Sequence, residues 1–383
     1  MSEYQYYEFV AIDRPLTREE MAELRSRSSR ATITPTSFVN EYHWGELKGN
    51  PADWMRRYFD AFVYVAIWRS CRFALRLPHA VFNKTELTPF LTKNALTVDD
   101  SGSHWILDWS LLDESEDYDH SRTEDGGGWM GRLVPLRDEL LRGDLRPLYL
   151  GWLAGVSARE VGDNVTEPEI PPGMSQLSPA QMALAEFLEI DPDLLAAAAL
   201  DSPSITESGD GNIDAWLTKL AAGEMRPTLK LLLQGESQQA ERQIKSRFLA
   251  WQKQNAPSAA PSATQRKVAE LWALAEEEKI RRLQREAQER AQQESAHRKK
   301  REDYLATLAA DFDRCWNAIH QHAERGTASA YDEAKRGIAD LADAYALTSN
   351  RDAFDRALLQ FMIPHTKRGA LVRRLIEAGL WRK

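Results

Sequence analysis

Two predicted hairpins decide the fold class of this chain. Residues 61–77 read AFVYVAIWRSCRFALRL, and residues 95–112 read ALTVDDSGSHWILDWSLL. The second half of each stretch alternates large apolar with smaller or polar side chains, which is the two-residue period of a β-strand. The run DDSG at 99–102 supplies the residues of a tight turn. Paired hairpins favour an antiparallel sheet with helices packed on one face, so the N-terminal part is predicted to be α+β.

The residues before these hairpins predict two further strands and a helix. Residues 4–12 are aromatic and β-branched, which is typical of a strand. Thr17 and Glu20 have the spacing of a capping box and predict a helix start. Residues 31–42 predict a second strand, which Pro35 places at a sheet edge because proline cannot donate to a neighbouring strand. These elements define a head domain over residues 1–160.

Helical signals dominate beyond the hairpins. They run from 133 to 156, stop at a proline-rich linker over 167–175, and resume at 178, where Ser178 and Gln181 repeat the capping-box spacing. The sequence therefore predicts a helical middle region over residues 176–255.

The C-terminal part begins after a low-complexity connector. Residues 256–264 read APSAAPSAT and predict a linker. Residues 265–322 contain neither proline nor glycine and predict one long charged helix, or a weak coiled coil through which the chain forms oligomers. Residues 328–383 predict a small module of three helices.

Charge and cysteine content set the expected compartment and partners. The net charge is −9, but residues 264–383 hold 23 basic against 19 acidic side chains, so the excess of acid lies in the rest of the chain. Cys71 and Cys315 are too few for a disulfide framework, which favours a reducing compartment. Without a signal peptide, and with no apolar run longer than residues 61–68, the expectation is a cytoplasmic protein that does not enter the membrane.

Motifs for catalysis, metals and cofactors are each incomplete. The acidic run 113–119 lacks the internal glycine and ligand spacing of a calcium loop. The glycines at 126–128 follow no buried strand and precede no Gly-Lys-Ser/Thr, as a phosphate loop requires. His320 and His322 are two residues apart and lie on different helix faces. The sequence therefore predicts no catalytic residue, no metal and no cofactor.

Two clusters remain as candidate binding residues. His43 and Trp44 follow a predicted strand, where loops commonly carry function. Arg298, Lys299, Lys300 and Arg301 form the strongest basic run, although four consecutive residues spread around a helix rather than forming one stripe.

Longer strings carry resemblances to bacterial proteins. The head resembles a family of uncharacterised bacterial proteins in YYEFVAIDRPL at 6–16, ITPTSFVN at 33–40, RYFDAF at 57–62 and GDLRPLYLGW at 143–152. The tail is similar to the end of bacterial SWIM-type zinc finger proteins in YDEA at 331–334 and HTKRGALVRRL at 365–375. The Cys-x-Cys and Cys-x-His of that finger are absent here, so the resemblance implies only an association with nucleic-acid systems.

Taken alone, the sequence predicts a non-catalytic binding or scaffolding protein with a protein partner. The first alternative is an accessory protein that contacts nucleic acid through a basic face of the tail. The second alternative is an enzyme whose site is scattered through the chain and leaves no local motif.

Overall fold

The computed structural model describes most of the chain. It covers residues 4–43, 45–68, 70–79, 81–112, 126–204, 211–235, 266–348 and 350–382, with single positions between 237 and 251. The chain divides into two compact units, Met1–Arg282 and Leu283–Lys383. The predicted linker at 256–264 lies outside the described residues.

An antiparallel sheet of seven strands organises the first unit, which confirms the α+β class. The order across the sheet is β2-β3-β1-β4-β5-β7-β6. The strands are β1 Gln5–Val10, β2 Thr32–Thr34, β3 Ser37–Tyr42, β4 Ala61–Ala66, β5 Cys71–Pro78, β6 Leu96–Asp100 and β7 His104–Leu111.

Both predicted hairpins are confirmed in register. Within the first, Phe73 pairs with Val63, and within the second, Leu107 pairs with Val98. The strand predicted over 31–42 is instead divided into β2 and β3, because Pro35 falls in the turn between them. The short strand β2 lies at the sheet edge.

Helices cover both faces of the sheet, so the expectation of one covered face is wrong. Helices α1 (Arg18–Arg27) and α2 (Pro51–Arg57) pack through Leu24 and Trp54 on a face that carries Phe9 and Phe62. The opposite face is covered by the chain from 129 to 199. Its helices are α4 Trp129–Leu133, α5 Leu136–Leu141, α6 Arg146–Ser157, α7 Pro179–Phe187 and α8 Pro192–Ala199. The short helix α3 Lys84–Leu87 follows β5 and contributes Leu87 to the same core.

The stretch predicted as a linker at 167–175 is part of this core. Glu167 and Met174 are 3% and 2% exposed. Because the core also includes Phe187 and Leu194, the sheet and the helices of 179–199 share one hydrophobic interior. Proline in this stretch therefore marks irregular backbone inside the unit rather than a flexible connection.

A long helix, α11 (Val268–Ala309), begins inside the same core. Val268, Leu271 and Ala275 follow the helical spacing and are all buried there. From 287 to 300, by contrast, every side chain is exposed. Its coiled-coil pairing stays a prediction. Helices α9 Gly211–Leu217 and α10 Ala222–Leu233 precede it in the chain.

A buried ion pair fastens the start of α11. Arg266 donates from Nε to Glu167 at 2.7 Å and from Nη2 at 3.0 Å, and the Tyr149 hydroxyl donates to the same carboxylate. Backbone bonds flank the pair, since Glu167 N donates to Arg266 O at 2.8 Å and Val268 N donates to Val165 O at 3.0 Å. The residues that enter α11 are therefore hydrogen-bonded to residues 165–167 in the manner of paired strands.

The second unit is a bundle of helices. The predicted single helix over 265–322 is interrupted after Ala309, because the Asp311 side chain accepts from Arg314 N and caps a new helix. Helix α12 (Phe312–Arg325) then packs with the three predicted helices around Trp316, Phe354 and Phe361. These are α13 Ala328–Leu347, α14 Arg351–His365 and α15 Gly369–Glu377.

The buried pair at the start of α11 yields a stability prediction. In Arg266→Met the Glu167 carboxylate stays buried without a cation, so the free energy of unfolding should fall by about 3–5 kcal/mol. Chemical denaturation followed by circular dichroism measures this change. In the matched control, Lys279→Met, an exposed pair with Glu276 on the same helix is lost and the change should stay below about 1 kcal/mol. Equal effects of both substitutions would contradict the anchoring role.

The capping box at the start of α1 predicts a pH dependence. Both of its predicted bonds form, and Arg14 bonded to Glu20 at 2.7 and 2.8 Å lowers the pKa of that carboxyl to about 2. A lowered folded-state pKa adds stability above pH 4.5 that is lost as the pH falls toward 2. Acid titration of the unfolding free energy should therefore be shallower in Glu20→Gln than in the native protein, whereas Glu19→Gln in the same turn should leave the slope unchanged.

Candidate functional site

The first predicted binding residue, His43, lies at the end of a strand. His43 follows β3 and is exposed, with its ring centroid 5.5 Å from that of Tyr4. Trp44 lies outside the described residues. The structure therefore shows His43 as a surface side chain beside the Tyr4 ring.

The predicted basic run divides into two kinds of residue. Arg298, Lys299 and Lys300 are exposed, and none of them has an ion-pair partner among the described residues. Arg301 differs, because its guanidinium lies 2.7 Å from Asp340 and 2.8 Å from Asp343 on α13. Only the first three cations are available to an external anion, so the run offers three binding side chains rather than the four that the sequence indicates.

Two of the glycines at 126–128 occupy backbone positions that favour glycine. A Cβ on Gly126 would lie 2.4 Å from the Tyr6 ring, so only glycine lets the chain pass over β1. Gly128 has φ = 91° and caps α4 in the left-handed region that favours glycine. The acidic run at 113–119 lies outside the described residues.

Several polar side chains on the sheet form hydrogen bonds and ion pairs with one another. The Tyr7 hydroxyl donates to Gln5 Oε1 at 2.8 Å, and Arg72 is paired with Asp108. Burial raises the pKa of Tyr7 to about 12 and raises the pKa of Asp108 as well. The neighbouring cavity, beside Thr97, is only about 80 Å³. A space of that size suits a few water molecules rather than a substrate.

The surroundings of the two cysteine thiols do not favour a reactive thiolate. Cys71 is fully buried and donates to Phe187 O at 3.0 Å. Burial raises the pKa of Cys315, which opposes formation of a nucleophilic thiolate.

An open groove of about 910 Å³ lies in the first unit and is formed by α4, α7 and α8. The spacing along α7 explains it, because Leu184 and Phe187 face the core while Met182 and Glu186, one turn apart, face outward. Met182 is 60% exposed. Most of the lining is apolar, namely Pro135, Pro179, Ala180, Met182, Ala183, Ala185, Ile190, Pro192 and Leu195.

A polar network beneath α7 fixes the groove wall. Gln181 is fully buried and donates from Nε2 to Glu139 and to Asp144, each at 2.8 Å. Its Oε1 accepts from Ser178 N at 3.2 Å, and the Ser178 hydroxyl donates to Glu139 at 2.6 Å, which confirms the predicted capping box. Because one amide serves both the cap and the neighbouring helices, α7 has little freedom to rotate.

Acidic side chains predominate at the groove rim. Glu139, Glu186 and Glu189 line it together with one cation, Arg132, which is paired with Glu186. Glu189 has φ = 49°, a left-handed conformation that costs a non-glycine residue about 1 kcal/mol. Sequence reasoning missed this groove, because its lining residues come from separate short helices and share no motif.

A histidine pair in the second unit was also missed. His320 Nδ1 lies 2.9 Å from Nε2 of His365, which is 45 residues away in the chain. His322 instead lies 2.7 Å from Glu333. No group of three or more His, Cys, Asp or Glu side chains suited to holding a metal occurs among the described residues.

Comparisons with protein-family models, curated proteins and solved structures find no match to this chain. In the part of the chain that the structure describes, no helix has the length and apolarity needed to cross a membrane.

Proposed function

We propose that this chain is a non-catalytic scaffolding protein that holds a segment of a protein partner in the groove between α4, α7 and α8. The observation that supports this proposal most directly is the exposure of Met182 above a floor of alanine and proline side chains. Exposed apolar surfaces with polar rims are typical of protein interaction sites.

The shape and chemistry of the groove favour a peptide over a small metabolite. Ligand pockets for metabolites are enclosed and contain several polar groups that converge on the ligand. Here the polar side chains lie at the rim, and Glu139 is already occupied by Ser178 and Gln181. An amphipathic helix docked on an open apolar groove needs only the apolar floor.

The charge of the groove rim indicates which kind of peptide would bind. Three carboxylates against one guanidinium leave the rim negative, so a bound segment should carry lysine or arginine beside its apolar residues. Rim charges act mainly on the rate of association, whereas the apolar floor determines most of the affinity.

Peptide selection on the full-length protein tests this proposal. A displayed library of helical peptides should yield binders with apolar residues at i, i+3 or i+4 and with basic flanks. In Met182→Glu a charge enters the groove, so dissociation constants measured by fluorescence anisotropy should rise at least about tenfold. Met225→Glu is the control, since Met225 is 39% exposed on α10 and does not line the groove. Binders that tolerate Met182→Glu as well as Met225→Glu would overturn the proposal.

Nucleic-acid binding by the second unit is the alternative function. The exposed cations Arg298, Lys299 and Lys300 favour it, as does the likeness of residues 365–375 to the tails of SWIM-type proteins. Phosphate-driven binding weakens by orders of magnitude between roughly 50 and 200 mM salt. Duplex DNA binding with that salt dependence, lost when the three residues become Ala but kept in Arg301→Ala, would favour the alternative over the scaffold.

A cytoplasmic location belongs to the same proposal. Cys71 and Cys315 are both thiols and are not joined in a disulfide, which suits a reducing compartment.

A further inference from the structure

The histidine pair in the second unit is enclosed by aromatic and apolar side chains. His365, the last residue of α14, is 2% exposed, and His320 reaches it from α12. The Phe361 ring lies 4.7 Å from each imidazole, measured between ring centroids. The second nitrogen of His365, Nδ1, is buried without a hydrogen-bond partner among the described residues.

The contact between the His320 and His365 rings has room for one hydrogen atom, which forms a single N–H···N hydrogen bond. A neutral imidazole has one N–H donor and one acceptor nitrogen, so one ring donates and the other accepts across the 2.9 Å separation. A protonated His365 carries N–H groups on both nitrogens. One of them would then point into the apolar core without an acceptor, and the charge would be shielded from water.

The surrounding charges oppose this protonation on balance. The titratable and charged groups near the pair are Glu324 on α12, Tyr331 on α13 and Arg368 at the start of α15. Burial lowers the pKa of His365, the neighbouring His320 and Arg368 lower it further, and Glu324 acts in the opposite direction. Tyr331 and Arg368 flank Gly326, next to the same corner of the bundle.

We propose that the His320–His365 pair is an acid-sensitive lock between α12 and α14, closed while His365 is neutral and opened when that ring gains a proton. Unfolded histidine binds protons near pH 6.5, whereas the enclosed ring resists them. The closed state is therefore fully stable above about pH 6.5 and loses stability as the pH falls below that value. The groove in the first unit plays no part in this lock.

Hydrogen exchange of the full-length protein at pH 7.5 and 5.5 tests the lock. After correction for the intrinsic exchange rate, the opening equilibrium of α14 amides should rise with falling pH, by up to tenfold per pH unit for one proton. In His365→Leu that rise should disappear. His322→Gln is the control, because this residue lies on the same helix but pairs with Glu333, and it should keep the native pH dependence.

A second variant guards against simple unfolding. If His365→Leu loses protection in α14 at both pH values, His365→Gln keeps a hydrogen-bonding group in place of Nε2 but cannot gain a proton, so it should lose the pH dependence while circular dichroism confirms helix content. The proposal is overturned if α14 protection is the same at both pH values in the native protein. It is also overturned if a folded variant of His365 keeps the native pH dependence.

Discussion

The buried pair between Arg266 and Glu167 is the constraint on which the arrangement of the first unit depends. Glu167 lies in a stretch of irregular backbone, and Arg266 follows 99 residues later. Taking both charges out of water is costly unless they meet with good geometry, so only a narrow set of backbone positions satisfies the pair. Arg159 stacked over Trp272 and Arg282 paired with Asp193 hold the next turns of α11. The long helix therefore starts from a fixed point.

The features on which the two proposals rest lie in different units. In the first unit, helices packed on the sheet leave one apolar groove open, and Gln181 keeps its wall in place. The second unit is a bundle that holds a histidine pair with one buried ring. The proposed docking of a peptide and the proposed response to protons therefore rest on separate sets of residues.

Local signals explain what could be predicted from the sequence. The two hairpins, the capping boxes at Thr17 and Ser178 and the helices of the bundle each depend on residues a few positions apart. Features that depend on distant residues could not be predicted in this way. The prolines at 167–175 wrongly predict a linker, because the partner of Glu167 is remote in the chain. The break after Ala309 depends on the cap formed by Asp311, and a lone aspartate is a weaker signal than proline. The groove and the histidine pair arise only when separate helices pack.

The most direct measurement follows what happens when the chain is cleaved between Glu167 and Arg266. A protease site inserted within residues 256–264 would separate Glu167 from Arg266 covalently while leaving their contact intact. After cleavage, size-exclusion chromatography should show both fragments in one complex under native conditions, because the start of α11 is part of the core of the first unit. Fragments that separate at once would contradict the account, since α11 would then be only tethered to that unit rather than anchored in it.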